Sequence, residues 1–325
     1  MGLSRRQFLH IAAGAAALPA LSRSAGAQTY PTRPVRIIAA TAPGGVPDIL
    51  ARLIGPLLSE QLGHQFVVEN RPGGGNNIGT EAVVRASSDG YTLLLVDSSG
   101  AINATLYDKL NYNFIRDIAP VASISRGHLI MVVNPSVPAR TIPEFIAHAK
   151  ANPGKVNMAT AGVGTLPQVA GELFKMLAGI HIVSVRYRGS APAVTDLLGG
   201  QVEVAFLDTV STIEHIKSGR LRALGVSTGK RLDVLPDVAT VGESVPGFEA
   251  TGWCGLCSPR ATPAEIIDLL NREVNAGLAD PKIRTRLADF GAIPFVTSPG
   301  GFATFIVDET QKWGKVIKFA NIKPE

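Results

Sequence analysis

The sequence predicts an α/β protein of two domains, each built on a mainly parallel sheet flanked by helices, with a ligand cleft between the domains. Short runs rich in Val, Ile and Leu alternate with stretches of helical spacing, which is typical of parallel strands covered by helices. The 34 glycines and 22 prolines are scattered between these runs, as in a folded chain. A length of 325 residues corresponds to two domains.

The first 27 residues have the pattern of a twin-arginine export signal. Arg5 and Arg6 precede a weakly apolar stretch, which ends in the small-residue cleavage pattern Ala25-Gly26-Ala27. This apolar stretch is too short to span a bilayer. We therefore expect cleavage after Ala27 and a protein that is free in the periplasm.

The charge pattern argues against a nucleic-acid partner. Loss of the leader removes three arginines and no acidic residue, so the formal net charge falls from +5 to +2. The remaining chain has no Lys/Arg block and no basic aromatic stripe. Its five histidines are scattered without the spacing of a zinc site or a catalytic triad. We expect no nucleic acid, no metal and no cofactor.

The predicted elements follow one another closely along the chain. Strands are predicted for PVRIIAA, QFVVEN, YTLLLVD, LIMVVN, KVNMAT, IVSVRY, VEVAFLD and LRALGVS. Helices are predicted for PEFIAHAKANPG, PQVAGELFKMLAG and APAVTDLLGG. Capping boxes are predicted to start helices at Thr141–Glu144 and Thr262–Glu265. A final long helix is expected to bury one face, made of Phe302, Phe305, Ile306, Trp313, Val316 and Ile317.

No long linker divides the chain, so the domain boundaries are placed at ordered crossings near VASISRG and GFEATGWCGL. The first domain then comprises residues 28–127 and 249–325, and the second comprises residues 128–248. Two crossings favour a hinge, and the loops of both domains would meet in the cleft.

Two segments run from a strand through a glycine turn into a helix. One extends from Ile37 to Leu58, and the other from Asn157 to Phe174. Helix N-termini present unpaired amides and favour anions, so two that face one cleft could hold a carboxylate. Alternatively, the glycines only tighten the turns. A third turn, RPGGGNNIG, either lines the cleft or only shapes it, with Asn76 and Asn77 in the first turn of the next helix.

Cys254 and Cys257 lie in a segment, ATGWCGLCSP, that is predicted to be a strand ending at Pro259. Strand positions three apart point to opposite faces, which opposes a disulfide between them. Redox pairs of this spacing open a helix instead. We therefore expect two buried thiols.

Several blocks resemble the substrate-binding proteins of tripartite tricarboxylate transporters, also called Bug receptors. They cover nearly the whole mature chain and include YPTRPVRIIAATAPGGVPDILAR, VVENRPGGGNNIGTEAV, AKANPGKVNMATAGVGT, GSAPAVTDLLGGQVEVAF and GWCGLCSPRATP. The resemblance implies a type II-like periplasmic-binding-protein fold that closes on a small carboxylate. It also implies membrane transporter subunits as partners, and we expect a monomer without enzymatic activity.

The resemblance further implies a set of binding residues. In the family, the two glycine turns act as a pincer on one carboxylate through backbone amides and ordered water. The matching first turn comprises Thr41, Ala42, Pro43, Gly44, Gly45, Val46 and Asp48. The matching second turn comprises Ala161, Gly162, Gly164, Thr165 and Gln168. Other cleft positions carried over are Ser98, Ser99, Asn103, Tyr187, Ser190, Ala191 and Asp208.

The chain departs from the family pattern around this cleft. Thr41 stands where an aromatic residue is common, SVRY replaces HVPY, and Leu207 replaces an Asp. These departures leave dicarboxylates, aromatic acids and amino acids open as ligands. Arg186 and Arg188 either reach the ligand or are solvated at a strand end.

Two other functions remain open at this point. A ligand sensor that signals through a membrane partner needs the same closing cleft as a carrier. An enzyme acting on a carboxylate is disfavoured, since no nucleophile–base pair is placed at the glycine turns.

Overall fold

The computed structural model describes residues 30–187 and 189–324, and its strands form one curved sheet flanked by helices. The predicted leader and Arg188 lie outside the described residues, so export by the twin-arginine route stays a prediction. Within the described ranges, no helix combines the length and apolar character that a membrane crossing requires.

The first part of the chain builds one edge of the sheet. Its elements are β1 (Val35–Ala39), α1 (Val46–Leu62), β2 (Phe66–Asn70), α2 (Asn77–Val84), β3 (Thr92–Asp97), α3 (Ser99–Leu106) and α4 (Phe114–Asp117). The long strand β4 (Ile118–Val133) follows directly and leads away from this edge. It is buried along almost its whole length, as expected of a central strand.

The middle of the chain builds the opposite edge, and the last part returns to the first edge. The middle elements are α5 (Ile142–Ala151), β5 (Asn157–Thr160), α6 (Leu166–Ala178), β6 (Val183–Arg186), α7 (Ser190–Leu198), β7 (Val204–Asp208), α8 (Thr209–Lys217), β8 (Arg222–Val226) and α9 (Val241–Ser244). The returning elements are β9 (Thr251–Pro259), α10 (Ala264–Gly277), α11 (Pro281–Asp289), β10 (Ala292–Pro294) and α12 (Pro299–Ala320).

The sheet has the strand order β2-β1-β3-β9-β4-β7-β5-β6, and β8 and β10 also pair with β4. β1 is parallel to β2 and β3, and β5 is parallel to β6 and β7. Every pairing of β4 and β9 is antiparallel. The α/β class is confirmed. The sheet is mixed because two antiparallel crossing strands join two groups of parallel strands.

β4 divides the molecule into two halves by its pairing. Residues 118–128 pair with β9, and residues 129–133 pair with β7 and β8. We call residues 30–128 and 251–324 the first half and residues 129–250 the second half. The domain boundaries inferred from the sequence stay a prediction.

One apolar cluster extends through both halves. It joins Ile38 and Leu94 of the first half to Phe145 and Phe174 of the second. The α12 helix contributes to it with the face predicted from its spacing, since Phe302, Ile306, Trp313, Val316 and Ile317 are buried. Full burial of such a side chain contributes about 1.5–3 kcal/mol, so α12 stabilises the junction of the halves.

A buried carboxylate ties α12 to the returning strand β9. Glu309 is only 5% exposed, and its Oε2 accepts hydrogen bonds from Trp253 Nε1 at 3.3 Å and Trp313 Nε1 at 2.9 Å. Its Oε1 forms an ion pair with Lys312. Both tryptophan side chains of the chain therefore lie where α12 contacts β9, and their fluorescence should be sensitive to this contact.

The predicted helix starts differ in detail from the observed ones. Thr141 accepts a hydrogen bond from the Glu144 amide, but the Glu144 carboxylate accepts from the Arg140 amide instead of closing the box. The second predicted box is wrong, because the helix begins at Ala264 and the Thr262 hydroxyl donates to the Pro259 carbonyl. A complete box occurs at Thr240 and Glu243.

The cysteine prediction is confirmed. Cys254 and Cys257 are free and buried in β9. They lie on opposite faces of the sheet, because Cys254 packs with the cluster of Leu95 and Cys257 with the cluster of Leu94. Burial raises the pKa of both thiols, so they are held in the unreactive protonated form.

Candidate functional site

A cavity of about 560 Å³ is lined by both halves of the molecule. It lies beyond the carboxyl ends of parallel strands, where open α/β sheets bind ligands. Most of its wall is apolar, with Ile49, Ile102, Leu129 and Trp253 among the lining residues. A smaller set of polar side chains is interspersed: Asn76, Asp97, Ser98, Ser99, Ser125, His128, Thr165, Asp208 and Thr209.

The first glycine turn is braced by a carboxylate from the helix that it opens. Asp48 Oδ2 accepts a hydrogen bond from the Gly44 amide at 2.9 Å. Its other oxygen accepts from Arg52 Nε at 2.9 Å and from Asn70 Nδ2 at 2.9 Å. Burial opposes ionisation of Asp48, but these hydrogen bonds together hold its pKa below the ordinary value. The pairing with Arg52 offsets the negative charge of Asp48 at the start of α1.

The second glycine turn has the same construction. Gln168 Oε1 accepts a hydrogen bond from the Gly164 amide at 2.9 Å. The Thr165 hydroxyl donates to the Gly162 carbonyl at 3.0 Å. In both turns, the third helical residue binds the amide of the glycine before the N-cap, and a proline occupies the second helical position.

Because the two turns are built alike, corresponding amides in each turn remain available to a ligand. The amides of Gly44 and Gly164 are engaged within the protein. The first amides of α1 and α6 belong to Val46 and Leu166, and a helix supplies no carbonyl for amides at these positions. Val46 and Leu166 both line the cavity. The two helix N-termini therefore open onto one space.

The structure places some of the sequence-predicted residues in the cavity wall and others behind it. Those that line the cavity are Val46, Ser98, Ser99, Gly164, Thr165 and Asp208. Asp48 and Gln168 brace the turns, and Asn103 braces the third turn by donating to Asn77 Oδ1 at 3.1 Å. The remaining residues lie outside the lining: Thr41, Ala42, Pro43, Gly44, Gly45, Ala161, Gly162, Tyr187, Ser190 and Ala191. Ligand contact by any of them stays a prediction.

Some of the predicted residues outside the cavity lining form hydrogen bonds elsewhere in the structure. The Tyr187 hydroxyl donates to Asp196 Oδ2 at 2.7 Å. The Ser190 hydroxyl donates to Asp208 Oδ2 at 3.2 Å, and so positions a carboxylate of the wall. Arg186 is exposed at the end of β6, and Arg188 lies outside the described residues.

The polar wall of the first half centres on Asp97. Its Oδ1 accepts hydrogen bonds from both the amide and the hydroxyl of Ser99. Asn76 Nδ2 donates to the Ser99 hydroxyl at 3.0 Å, so the third turn also contributes to this wall. Burial raises the pKa of Asp97, although the hydrogen bonds from Ser99 oppose the rise.

Two further lining residues were not recognised from the sequence: His128 of β4 and Thr209, the first residue of α8. Burial lowers the pKa of His128, and the nearby Asp208 carboxylate opposes this effect. One sequence signal was available, since His128 directly follows the predicted crossing VASISRG. Thr209 gave no comparable signal, because it follows an ordinary apolar strand.

The family is decided by comparison with known proteins. Residues 50–322 match the family described as "Tripartite tricarboxylate transporter family receptor". The chain belongs to this receptor family. It is 37% identical over 300 residues to protein BugT of Bordetella pertussis, a match that covers 91% of this chain and 92% of BugT. The resemblance found in the sequence is thus confirmed.

Solved structures share the fold of the receptor over its described length. Rpa4515 of R. palustris, solved with adipate, is 34% identical with a TM-score of 0.75, and the match covers 91% of this chain and 100% of that one. The periplasmic binding protein BugD is 32% identical with a TM-score of 0.72, with the same coverage of the two chains. BugD is described as a binding protein, which favours a binding role for the receptor.

Proposed function

We propose that the receptor captures a small organic carboxylate in the periplasm and delivers it unaltered to the membrane subunits of a tripartite tricarboxylate-type transporter. The observation that carries this proposal is the pair of equivalent glycine turns. One turn comes from each half, and the helices that they open, α1 and α6, begin at the same cavity.

The chemistry of the turns suits a carboxylate. First-turn amides and the positive ends of two helix dipoles converge on one space, where they stabilise a negative charge. A hydrogen bond to a charged group contributes about 1.5–3 kcal/mol, so two such bonds account for an affinity gain of about a hundredfold or more. Asp48 does not cancel this effect, because its charge is paired with Arg52.

Delivery without chemistry is consistent with the tasks of the side chains near the turns. Asp48 and Gln168 are occupied in bracing the backbone, and the Ser99 hydroxyl is bonded to Asp97 and Asn76. The adipate bound to Rpa4515 supports a carboxylate as the class of ligand. The proposal also includes export by the twin-arginine route and a monomeric receptor.

A paired ligand screen tests the proposal. Monocarboxylic, dicarboxylic, aromatic and amino acids are compared in thermal shift and calorimetry, each beside its primary amide. At one hundred times its Kd, a true ligand should stabilise the receptor by about 2.7 kcal/mol, while its amide should not. Mass spectrometry should recover the acid unchanged. Equal binding of acid and amide, no binding of any acid, or recovery of an altered ligand would each contradict the proposal.

A further inference from the structure

Two buried polar atoms of the cavity wall have no partner within the described part of the chain. They are Nε2 of His128 and Oγ1 of Thr209. Both residues are 8% exposed, and both line the cavity. The large majority of buried side-chain polar atoms in proteins have a hydrogen-bond partner, so two unpaired atoms in one wall indicate a partner that the protein itself does not supply.

The sheet brings these two residues together. Leu129 of β4 is paired with Asp208 of β7 in an antiparallel ladder. His128 precedes Leu129, and Thr209, the first residue of α8, follows Asp208, so the two residues adjoin the last pair of this ladder. They therefore form one polar patch, distinct from the glycine turns at α1 and α6.

The charge around the patch restricts what it can bind. Asp208 lies beside it, and its two oxygens already accept from the Ser211 amide at 2.8 Å and from the Ser190 hydroxyl at 3.2 Å. A ligand carboxylate at this place would face the Asp208 carboxylate. An imidazole and a hydroxyl can each donate and accept hydrogen bonds, and this matches an uncharged oxygen function.

We propose that His128 and Thr209 form a second subsite, which binds a hydroxyl or carbonyl oxygen located elsewhere on the ligand than its carboxylate. The inference rests on the proposed function, because it assigns the carboxylate to the glycine turns. The receptor is then selective for hydroxy or oxo acids over unsubstituted acids and over acids with a second carboxylate.

The test uses matched acids that differ by one oxygen function. The pairs are butanoate with 4-hydroxybutanoate, hexanoate with 6-hydroxyhexanoate, and benzoate with 4-hydroxybenzoate, and succinate and adipate are the dicarboxylate probes. Calorimetry compares the wild type with Thr209→Val, Thr209→Ser and His128→Phe. Thr310→Val is the matched control, since Thr310 is a half-buried helical threonine of α12 that bonds only to the Ile306 carbonyl among the described residues.

In at least one pair, the wild type should bind the hydroxylated acid about tenfold more tightly than its parent, the effect of one good hydrogen bond. Thr209→Val and His128→Phe should each remove this preference while changing the affinity for the parent acid less than about twofold. Thr209→Ser should keep the preference, and Thr310→Val should change neither affinity.

Three results overturn the inference. The first is that the wild type binds parent and hydroxylated acid equally in every pair, a result that does not depend on whether a variant folds. The variants could weaken parent and hydroxylated acids equally, which indicates a structural role only. A dicarboxylate could bind most tightly and be the ligand that the variants weaken. Failure of every acid to bind is a separate signature, since it contradicts the proposed function and the inference with it.

Discussion

At the scale of single residues, the second glycine turn leaves no room for a side chain. Gly164 has a φ of +69°, and a Cβ at this position would lie 2.6 Å from Leu106 Cδ2 of the first half. Gly179 at the other end of α6 has a φ of +61°, but a Cβ there would meet nothing within 4 Å. Of these two glycines, only Gly164 combines a strained backbone with a clash that must move either Leu106 or the turn.

The variants Gly164→Ala and Gly179→Ala separate these two effects. Each should lower the free energy of unfolding by about 1 kcal/mol, because alanine is strained at positive φ. Gly164→Ala should also weaken binding of the best acid by about tenfold or more, since the displaced turn carries the first amides of α6. Urea denaturation and calorimetry measure the two quantities. Equal affinities in the two variants would place the site elsewhere.

Asp48 gives the receptor a predicted dependence on pH. Its pKa in the folded state lies below the ordinary value of 3.8, so the ionised carboxylate stabilises the fold above this pH. The contribution is lost as the pH falls through the folded-state pKa. Asp48→Asn should therefore lower the free energy of unfolding by about 2 kcal/mol at neutral pH, and the gap to the wild type should narrow below about pH 4.

The control for this measurement is Asp308→Asn on the exposed face of α12. Its unfolding free energy at neutral pH should lie within about 0.5 kcal/mol of that of the wild type. A gap for Asp48→Asn that stays constant down to pH 2 would show that the carboxylate acts through packing and not through its charge.

The glycine turns were predictable from the sequence, but the side chains that brace them were not. Backbone amides near Gly44, Gly45, Gly164 and Thr165 were expected to face the ligand, whereas Asp48 and Gln168 occupy those of Gly44 and Gly164. A side chain that reaches back four residues cannot be distinguished by spacing from one that points to solvent. His128 and Thr209 could not be recognised from the sequence, because they come together only when the distant strands β4 and β7 pair.

At the scale of elements, α12 is held to the crossing strand β9 by one buried acid. Glu309 binds both tryptophan indoles and Lys312, so it is fully paired although it is buried. Its hydrogen bonds from the two buried indoles are charge-assisted, whereas the Lys312 side chain is 27% exposed and can be solvated without Glu309. The α12 helix should therefore depend on Glu309 more than on any single surface charge.

Glu309→Gln should lower the free energy of unfolding by about 2 kcal/mol, because two charge-assisted hydrogen bonds become neutral ones and the ion pair with Lys312 is lost. The matched control is Asp308→Asn, whose side chain is the exposed neighbour on the same helix and should cost less than about 0.5 kcal/mol. Tryptophan fluorescence during denaturation follows both variants, because Trp253 and Trp313 both donate to Glu309. Similar stabilities of the two variants would show that the Glu309 network contributes little.

Most elements were predictable from the sequence, and the exceptions are the length of β4 and the start of α10. The apolar runs, the Gly-terminated helices and the buried face of α12 followed from periodicity. β4 was predicted only as a crossing followed by the strand LIMVVN, whereas it is one strand from Ile118 to Val133. The capping box at Thr262 failed because the helix begins at Ala264 with Pro263 at its N-cap, which places Thr262 one residue too early.

At the scale of the whole molecule, the two halves share a core and a cavity, and the backbone passes between them within β4 and just before β9. β4 and β9 lie together at the centre of the sheet. Such an arrangement suits a cleft that opens and closes on its ligand. The family could be inferred from sequence blocks. The proposed preference for a ligand with a hydroxyl or carbonyl oxygen rests on His128 and Thr209, which only the fold brings together.

Export belongs to this scale, since it concerns the whole precursor. Replacement of Arg5 and Arg6 by lysine should retain the precursor in the cytoplasm, because the arginine pair is the feature that the twin-arginine route recognises. Cell fractionation with detection of the chain measures the outcome. N-terminal sequencing of the exported wild type should begin at Gln28. Unchanged periplasmic yield of the lysine variant would rule out this route.

The central claim is that two glycine turns hold one ligand carboxylate, and a crystal structure of the receptor with its tightest acid tests it most directly. We expect a chemically intact ligand in the cavity, with carboxylate oxygens about 2.7–3.2 Å from the first amides of α1 and α6, those of Val46 and Leu166, directly or through one water. A carboxylate bound away from both helix N-termini, for example against Arg186, would contradict the claim.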